Sequence, residues 1–299
     1  MFVIKHKNIF IIVIGLVMLA AVAITFAWQP NFSIEFTGGS VSEGVYASST
    51  PPVESLNERV SALGLGTVKL QSKGDSGLIV RSKELTVDEH TRLVNALSLD
   101  DAEFTETSLS TIGPSVGREL RSKAIIAIIL VLILIIIFVT IAFRSVSGVV
   151  SSWKFGLSVI ICLVHDIFVP TAIFVVLSHY FIGYEIDTLF VTALLAILGY
   201  SVADSIVVFD RVRENIKLAP KEPFEHVVGR SLNETYIRSM NTSLTTVLAA
   251  LAIFLFGAEA TRHFALMLAI GIAAGTYSSI LLASPLLVLL SGKPKTAPK

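Results

Sequence analysis

Six apolar runs, each close to twenty residues long, constrain this chain more than any other feature. They are Ile9–Trp28, Ala124–Phe143, Phe155–Leu177, Thr188–Phe209, Arg238–Phe256 and Phe264–Leu290. A bilayer's hydrocarbon core is about 30 Å thick, which about 20 helical residues cross. Inside it every backbone N–H and C=O needs a partner within the protein, so such a run folds as helix. Composition agrees: 53% of the 299 residues are hydrophobic and 15% are charged, against about 25% charged in a typical soluble domain. The formal net charge is zero, which leaves no basic footprint for nucleic acid. The expected fold class is a polytopic α-helical membrane protein with six transmembrane helices. The sixth run is long, and is expected to tilt or to end at Pro285.

The first run also admits a cleaved signal peptide, because Lys5 and Lys7 precede it. Its apolar core is too long for that, and its A-x-A match, Ala21-Val22-Ala23, lies inside the run. Direction follows from the short loops. Lys5, Lys7, Arg144, Lys154, Arg211, Arg213, Lys217, Lys221, Arg230, Lys293, Lys295 and Lys299 fall on one side, and only Arg262 on the other. The positive-inside rule then puts both termini in the cytoplasm. The expected organisation is a cytoplasmic N-terminus and first helix (1–28), an extracytoplasmic domain (29–123), helices two to six (124–290) and a cytoplasmic tail (291–299).

The segment between the first two spans reads as a small α+β unit. Val41–Ala47 has strand character. Thr50-Pro51 resembles a helix start, with Val53, Leu56, Val60 and Leu63 at helical spacing. Val68–Gln71 and Leu78–Ser82 are short β-like runs around Lys73-Gly74-Asp75. Thr86-x-x-Glu89 is a capping box ahead of Leu93, Val94 and Leu97, and Glu103–Ser108 is a last strand. The order βαββαβ is that of a ferredoxin-like split arrangement, which hosts many functions. No nucleophile, base and orienter come together in it, and His90 reads as a solvated surface histidine. The domain reads as a binding module; no enzyme activity is expected. The one cysteine, Cys162, lies in an apolar run and allows neither an internal disulfide nor a cysteine metal site. No phosphate loop, metal motif or cofactor motif is present.

Ionisable residues within a bilayer are costly and point to function. Asp166, in His165-Asp166, lies mid-way along the third span, where it either pairs with His165 or faces a water-filled gap. Asp204 lies in the fourth span and Arg238 opens the fifth. Ser231-Leu232-Asn233-Glu234 reads as a capping box, which would start the fifth helix at Ser231 and set Arg238 about 10 Å into it. The fourth helix is expected to run on through Asp210-Arg211-Val212-Arg213, so antiparallel helices would bring Asp204 and Arg238 to one depth. Thr242 is one turn beyond Arg238. A carboxylate whose arginine partner comes and goes loads and releases protons, while a permanent pair only holds helices together; spacing does not choose between them. Ala193, Ala196 and Gly199, and Gly271-x-x-x-Gly275, read as close-packing faces, within the chain or toward a partner.

Several motifs together resemble a known family. They are Phe32-Ser33-Ile34-Glu35-Phe36-Thr37-Gly38-Gly39, Ile112-Gly113-Pro114-Ser115-Val116-Gly117, His165-Asp166, and Gly199-Tyr200-Ser201-Val202-x-Asp204-Ser205-Ile206-Val207-Val208-Phe209-Asp210-Arg211. Ser231-Leu232-Asn233-x-Thr235, Asn241-Thr242-Ser243-Leu244-Thr245-Thr246 and Gly275-Thr276-Tyr277-Ser278-Ser279 follow in order. Across nearly the whole length the chain resembles the SecF family, the smaller half of the bacterial SecDF accessory complex, of the resistance-nodulation-division type. The resemblance implies a SecD partner, the SecYEG channel and a translocating preprotein as partners, a place in the bacterial inner membrane, and use of the proton-motive force to promote export. It implies a proton relay of Asp204, Arg238 and Thr242, with Asp166 a weaker candidate. One departure is Ala203, where the family usually has Asn.

Three other functions compete with this one. A small-molecule or lipid exporter of the same superfamily would carry larger outside domains. An intramembrane aspartyl protease would carry Gly-x-Gly-Asp, where this chain has Ser201-Val202-Ala203-Asp204. A passive channel scaffold would have no need for Asp204 to titrate.

Overall fold

In the computed structural model, residues 2–99, 102–146 and 150–291 are described. Lys293, Lys295, Lys299 and nearly all of the expected tail lie outside them. The described chain divides into two compact units: the six spans make one, and residues 32–125 with Glu185–Thr188 make the other.

Among the described residues six helices are long and apolar enough to cross a membrane: Lys7–Ala27, Pro114–Ala142, Ser152–Tyr180, Thr188–Leu218, Phe224–Phe256 and Glu259–Ser291. The third and sixth are the most buried in this unit, and the first and second the least. A helix apolar on every side needs either lipid or protein around it, and the first two spans leave most of their surface outward.

Several helices outrun their apolar cores. The second starts at Pro114 rather than near Ala124, because Arg118, Glu119, Arg121 and Lys123 are good helix formers; Glu119 also pairs with Lys123 one turn on, at 2.7 Å. The fourth runs to Leu218. The fifth starts at Phe224, directly after Pro223, so the expected start at Ser231 is corrected. Ser231 lies inside the helix, where its hydroxyl donates to the Val227 carbonyl at 2.8 Å. Pro223 supplies the extended backbone that precedes a helix, and the capping-box pattern is outcompeted.

The sixth span does not end at Pro285. Pro285 has no N–H to give the Leu281 carbonyl, and the helix answers with a π turn over Ser279–Ala283 before resuming as Ser284–Ser291. Gly271 and Gly275 face the fourth span. A Cβ on Gly271 would meet the Ile197 side chain at 2.1 Å, and one on Gly275 would meet the Ser201 Cβ at 3.0 Å. That pair is therefore an internal packing face. Gly199 is different: a Cβ there would meet nothing within 4 Å, and the residue is exposed. At one end Phe143 stacks on Phe155 at 4.9 Å, and Phe209 sets its edge against Phe155 at 5.3 Å. Such aromatic pairs join three spans through offset or edge contacts.

The second unit has the order β1 (Gly39–Tyr46), α1 (Val53–Ser61), β2 (Lys69–Lys73), β3 (Gly77–Ser82), α2 (Val87–Leu97), β4 (Phe104–Ile112). Its four strands are antiparallel in the order β2-β3-β1-β4. Leu56, Val60, Leu78, Val80, Leu93, Leu97 and Phe104 form its core. Tyr46 closes the core by donating to the Leu97 carbonyl at 2.9 Å, and burial pushes its phenol up to about 12. Gly44 sits at a register shift between β1 and β4, where a Cβ would meet the Phe104 ring at 2.2 Å. Thr50 is no cap; its hydroxyl donates to the Gly77 carbonyl at 3.1 Å, and α1 starts at Val53 after Pro52. Thr86 and Glu89 do make the reciprocal capping box. His90 is not simply solvated: its Nε2 lies 2.9 Å from Glu106, which also accepts from Ser42.

This unit also takes in the loop before the fourth span. Ser33 N–H donates to the Ile186 carbonyl at 3.0 Å, and the Glu35 carboxylate accepts from Thr188 N–H at 2.7 Å and its hydroxyl at 2.6 Å. Arg81 pairs with Glu185.

Three outcomes follow. Gly271→Leu is expected to cost about 1–3 kcal/mol by overpacking against Ile197, read as a lowered melting temperature of the purified chain in detergent, while Gly199→Leu leaves it near wild type. Thr86 N–H and Lys83 hold the Glu89 carboxylate below its ordinary range, so its contribution to stability is present above the unfolded value and lost as pH falls through the lowered folded value. Glu89→Gln should therefore flatten the acid dependence of α2 amide hydrogen exchange below about pH 4.5.

Candidate functional site

Asp166 is fully buried in the third span. Its carboxylate accepts from Ser201 on the fourth span, from Ser278 on the sixth at 2.9 Å, and from His165 Nδ1 at 2.7 Å. Adjacent helical residues do not normally face each other. Here the imidazole reaches around to its neighbour, which settles the pairing that the sequence left open. On the far side of the ring the Tyr277 hydroxyl lies 2.9 Å from His165 Nε2. Pro170 has no N–H for the Asp166 carbonyl four residues before it, so the helix is loosened at this residue. Cys162 is buried one turn earlier, its Sγ 3.8 Å from the Ser278 carbonyl.

Asp204 has a different setting. It is only partly buried, and Ser243 on the fifth span donates to it at 2.9 Å. Thr276 on the sixth span, whose hydroxyl donates to the Ile272 carbonyl at 2.7 Å, lines the same groove as Ser243. The buried hydroxyls of Ser205, next to Asp204 in sequence, and of Ser239, one turn before Ser243, have no partner among the described residues.

Among the described residues no ion pair joins Asp204 to Arg238. The residue opposite Asp204 is Ser243, five positions beyond Arg238, which is about 7.5 Å along the axis and well around the helix. Arg238 instead lines a cavity of about 280 Å³ with Val207, Asp210, Arg211, Glu214, Glu234 and Thr235. The cavity walls are tied by Arg211, whose Nε bonds Glu234 at 2.5 Å and whose Nη1 bonds Glu214 at 2.6 Å; Asn215 adds a bond to Glu234 at 2.9 Å. Glu234 is thus used between helices and not as a cap. Thr242 donates to the Arg238 carbonyl at 3.0 Å, and both residues are exposed in this chain. Asn241 and Thr245 are exposed beside them, giving the fifth span a polar face that bare lipid does not accommodate.

On the other side of the Asp204 site lies an apolar groove of about 360 Å³, whose lining includes Tyr236, Met240, Ser243, Leu244, Thr276 and Tyr277. The four predicted site residues therefore fall into separate settings: Asp166 in a closed network, Asp204 at a half-open one, Arg238 and Thr242 on an uncovered face. Sequence reasoning missed Ser243, Ser278 and Tyr277 as partners. Their signal was present, since small hydroxylated residues and a tyrosine cluster in runs otherwise apolar, but the register across helices was not. Among the described residues no group of His, Cys, Asp and Glu is placed to hold a metal ion.

Together these features define a polytopic helical membrane protein with two intramembrane carboxylates in distinct polar networks. Residues 94–293 match the family described as protein export membrane protein SecD/SecF, C-terminal, and the chain belongs to that family. It is 37% identical to the protein translocase subunit SecF of Thermobaculum terrenum, over 88% of this chain and 85% of that protein. To the SecF of Sebaldella termitidis it is 36% identical, over 96% and 90%. The crystal structure of SecDF, a translocon-associated membrane protein from Thermus thermophilus, aligns with a TM-score of 0.80 at 33% identity. That alignment covers 96% of this chain and 38% of the SecDF chain, so the chain spans well under half of that protein. A super-membrane-facing form of SecDF aligns with a TM-score of 0.64.

The two carboxylates should respond differently to substitution. Asp166→Ala leaves Ser201 and His165 Nδ1 buried without their acceptor, while Ser278 keeps the Gly275 carbonyl at 3.0 Å, and is expected to cost about 3 kcal/mol. Asp204→Asn keeps shape and a polar partner for Ser243 and should cost about 1 kcal/mol or less. Melting temperatures of the two purified variants in detergent check this.

Proposed function

We propose that this chain is an accessory subunit of the Sec export machinery, working with SecD to promote preprotein movement through SecYEG at the expense of the proton-motive force. The observation that carries the reading is Asp204. It is an ionisable group in the middle of a membrane-spanning helix, held by Ser243 and yet only partly buried. A group that is to gain and lose a proton needs both compensation and access.

Arg238 and Thr242 complete the relay. In the state described, Arg238 stands at the level of Asp210, about one and a half turns from Ser243. A shift of the fifth helix relative to the fourth would bring the guanidinium to Asp204, favouring the ionised form, and its withdrawal would favour proton uptake. The uncovered polar face of Arg238, Asn241, Thr242 and Thr245 is the surface that a SecD half would cover. Family membership and the partial span of the SecDF chain support that partner.

The small domain is assigned to the extracytoplasmic side, with both termini cytoplasmic, in a bacterial inner membrane. Its strand order supports a ferredoxin-like arrangement. In the proposed cycle, protonation of Asp204 moves the helices at the SecD interface, and that motion is passed to the outside domains that hold the emerging chain. The role is non-catalytic. Ala203, in the position before Asp204, removes an amide from the relay and leaves the titrating group in place.

The test is pulse-chase export of a secretory precursor in bacteria depleted of their own SecDF. They are supplied with cognate SecD and either the wild-type chain or Asp204→Asn at equal membrane levels. Wild type should restore export and Asp204→Asn should behave like the depleted cells. Equal restoration by both would remove the relay and favour a passive scaffold. Restoration by neither, with normal assembly, would favour the exporter reading.

A further inference from the structure

Two stretches singled out in the sequence, Phe32–Gly39 and Ile112–Gly117, have no part in the polar networks of the spans, yet they meet each other in the small unit. Gly38, at φ +74°, closes the short helix Ile34–Thr37, and a Cβ on it would lie 2.7 Å from the Pro114 Cα. A Cβ on Gly117 would lie 2.8 Å from the Gly38 nitrogen. The short helix is thus seated on the first turn of the second span, with no room for a side chain between them.

The same short helix holds the start of the fourth span. The small unit takes in Glu185–Thr188, and Thr188 is also the first residue of the helix Thr188–Leu218. The first N–H groups of a helix have no partner within it and form its positive end. The Glu35 carboxylate fills that need, since one oxygen accepts from the Thr188 N–H at 2.7 Å and from its hydroxyl at 2.6 Å. Around this cap Phe32 makes a parallel bridge with Ile186, Ser33 N–H donates to the Ile186 carbonyl at 3.0 Å, and Arg81 of β3 pairs with Glu185. Ser33 in turn fixes Glu35, because its hydroxyl accepts from the Glu35 N–H at 3.1 Å. Backbone, carboxylate and ion pair therefore all tie residues 185–188 to a unit that the chain enters from the first span and leaves to the second.

Asp204 follows Thr188 on the same continuous helix, about 24 Å along its axis. Rigid helices carry displacement between distant sites, so a shift or turn of the fourth helix at Asp204 is delivered at Thr188. We propose that Glu35 is the positioning residue through which the fourth helix drives the small unit: its carboxylate clamps Thr188, and a displacement that accompanies the change of charge on Asp204 reaches the domain through residues 32–37. This rests on reading Asp204 as the titrating group, and it names the joint by which that group's motion leaves the membrane. Glu35 itself carries no proton to or from Asp204.

The test is amide hydrogen exchange on the full chain with its SecD partner, reconstituted in lipid, in a cycle of four proteins: wild type, Asp204→Asn, Glu35→Ala and the double variant. With Glu35 in place, Asp204→Asn should change exchange across residues 32–37 by about threefold or more; in the Glu35→Ala background that response should vanish. A merely structural cap would shift the exchange of both Glu35→Ala proteins alike and leave the response to Asp204→Asn intact. Thr188→Pro, which removes both donors at a helix position that tolerates proline, is carried in parallel, should uncouple likewise, and stands in if Glu35→Ala does not accumulate. A response that survives in either variant overturns the proposal, as does an Asp204→Asn that leaves residues 32–37 unchanged with Glu35 in place. The underlying reading is judged separately. If Asp204→Asn supports normal export, the relay fails whatever the exchange shows. If Asp204→Asn is inactive in export and its effect on residues 32–37 survives loss of the cap, only the role of Glu35 fails.

Discussion

A carboxylate shut away from water inside a membrane-spanning bundle has to be compensated by hydrogen bonds, and Asp166 is compensated by three at once. Their donors come from three helices: His165 on the third span, Ser201 on the fourth and Ser278 on the sixth. The desolvation of such an ion costs several kcal/mol, which no single hydroxyl offsets. All three donors must arrive, so the three helices must lie close and in one register. Gly271 and Gly275 make that possible, because any side chain there would run into Ile197 or Ser201. The interior position of the third and sixth spans, the missing helical bond at Pro170 and the π turn before Pro285 all lie around this node.

Asp204 shows the opposite solution with the same chemistry. It sits one turn from Ser201 on the same helix, yet it has fewer donors and is only partly buried. In the proposed relay the half-open network belongs to the group whose charge state changes. The two networks meet on the fourth span, where Ser201 and Asp204 lie about 5 Å apart along the axis. The sixth span reaches the closed network through Ser278, and Thr276, two residues before it, lines the groove beside Ser243.

Much of this was legible in the residues alone. Lipid allows few backbone solutions, so run length determined six helices, and the alternation of strand-like and helix-like stretches determined the element order of the small domain. Thr86 and Glu89 read correctly because a capping box is a local bond, made within four residues. Ser231 and Glu234 carry a similar pattern and misled, because Pro223 started the helix earlier and Arg211 and Asn215 offered Glu234 better partners. His90 misled for the same reason, since Glu106 reaches it from a strand sixteen residues away.

What the sequence by itself determined, then, is everything set by short range and by the solvent: the spans, the small α+β unit, the ionisable residues that a membrane does not tolerate without purpose. Tertiary structure alone decided who meets whom. It put Ser243 and not Arg238 opposite Asp204, Gly271 against Ile197 while Gly199 stays bare, and Tyr277 on the far nitrogen of His165. The physical reason is that a helix advances 100° and 1.5 Å per residue, so the start of each helix and its rotation against the next, which no local pattern encodes, select one partner from several within the same few turns.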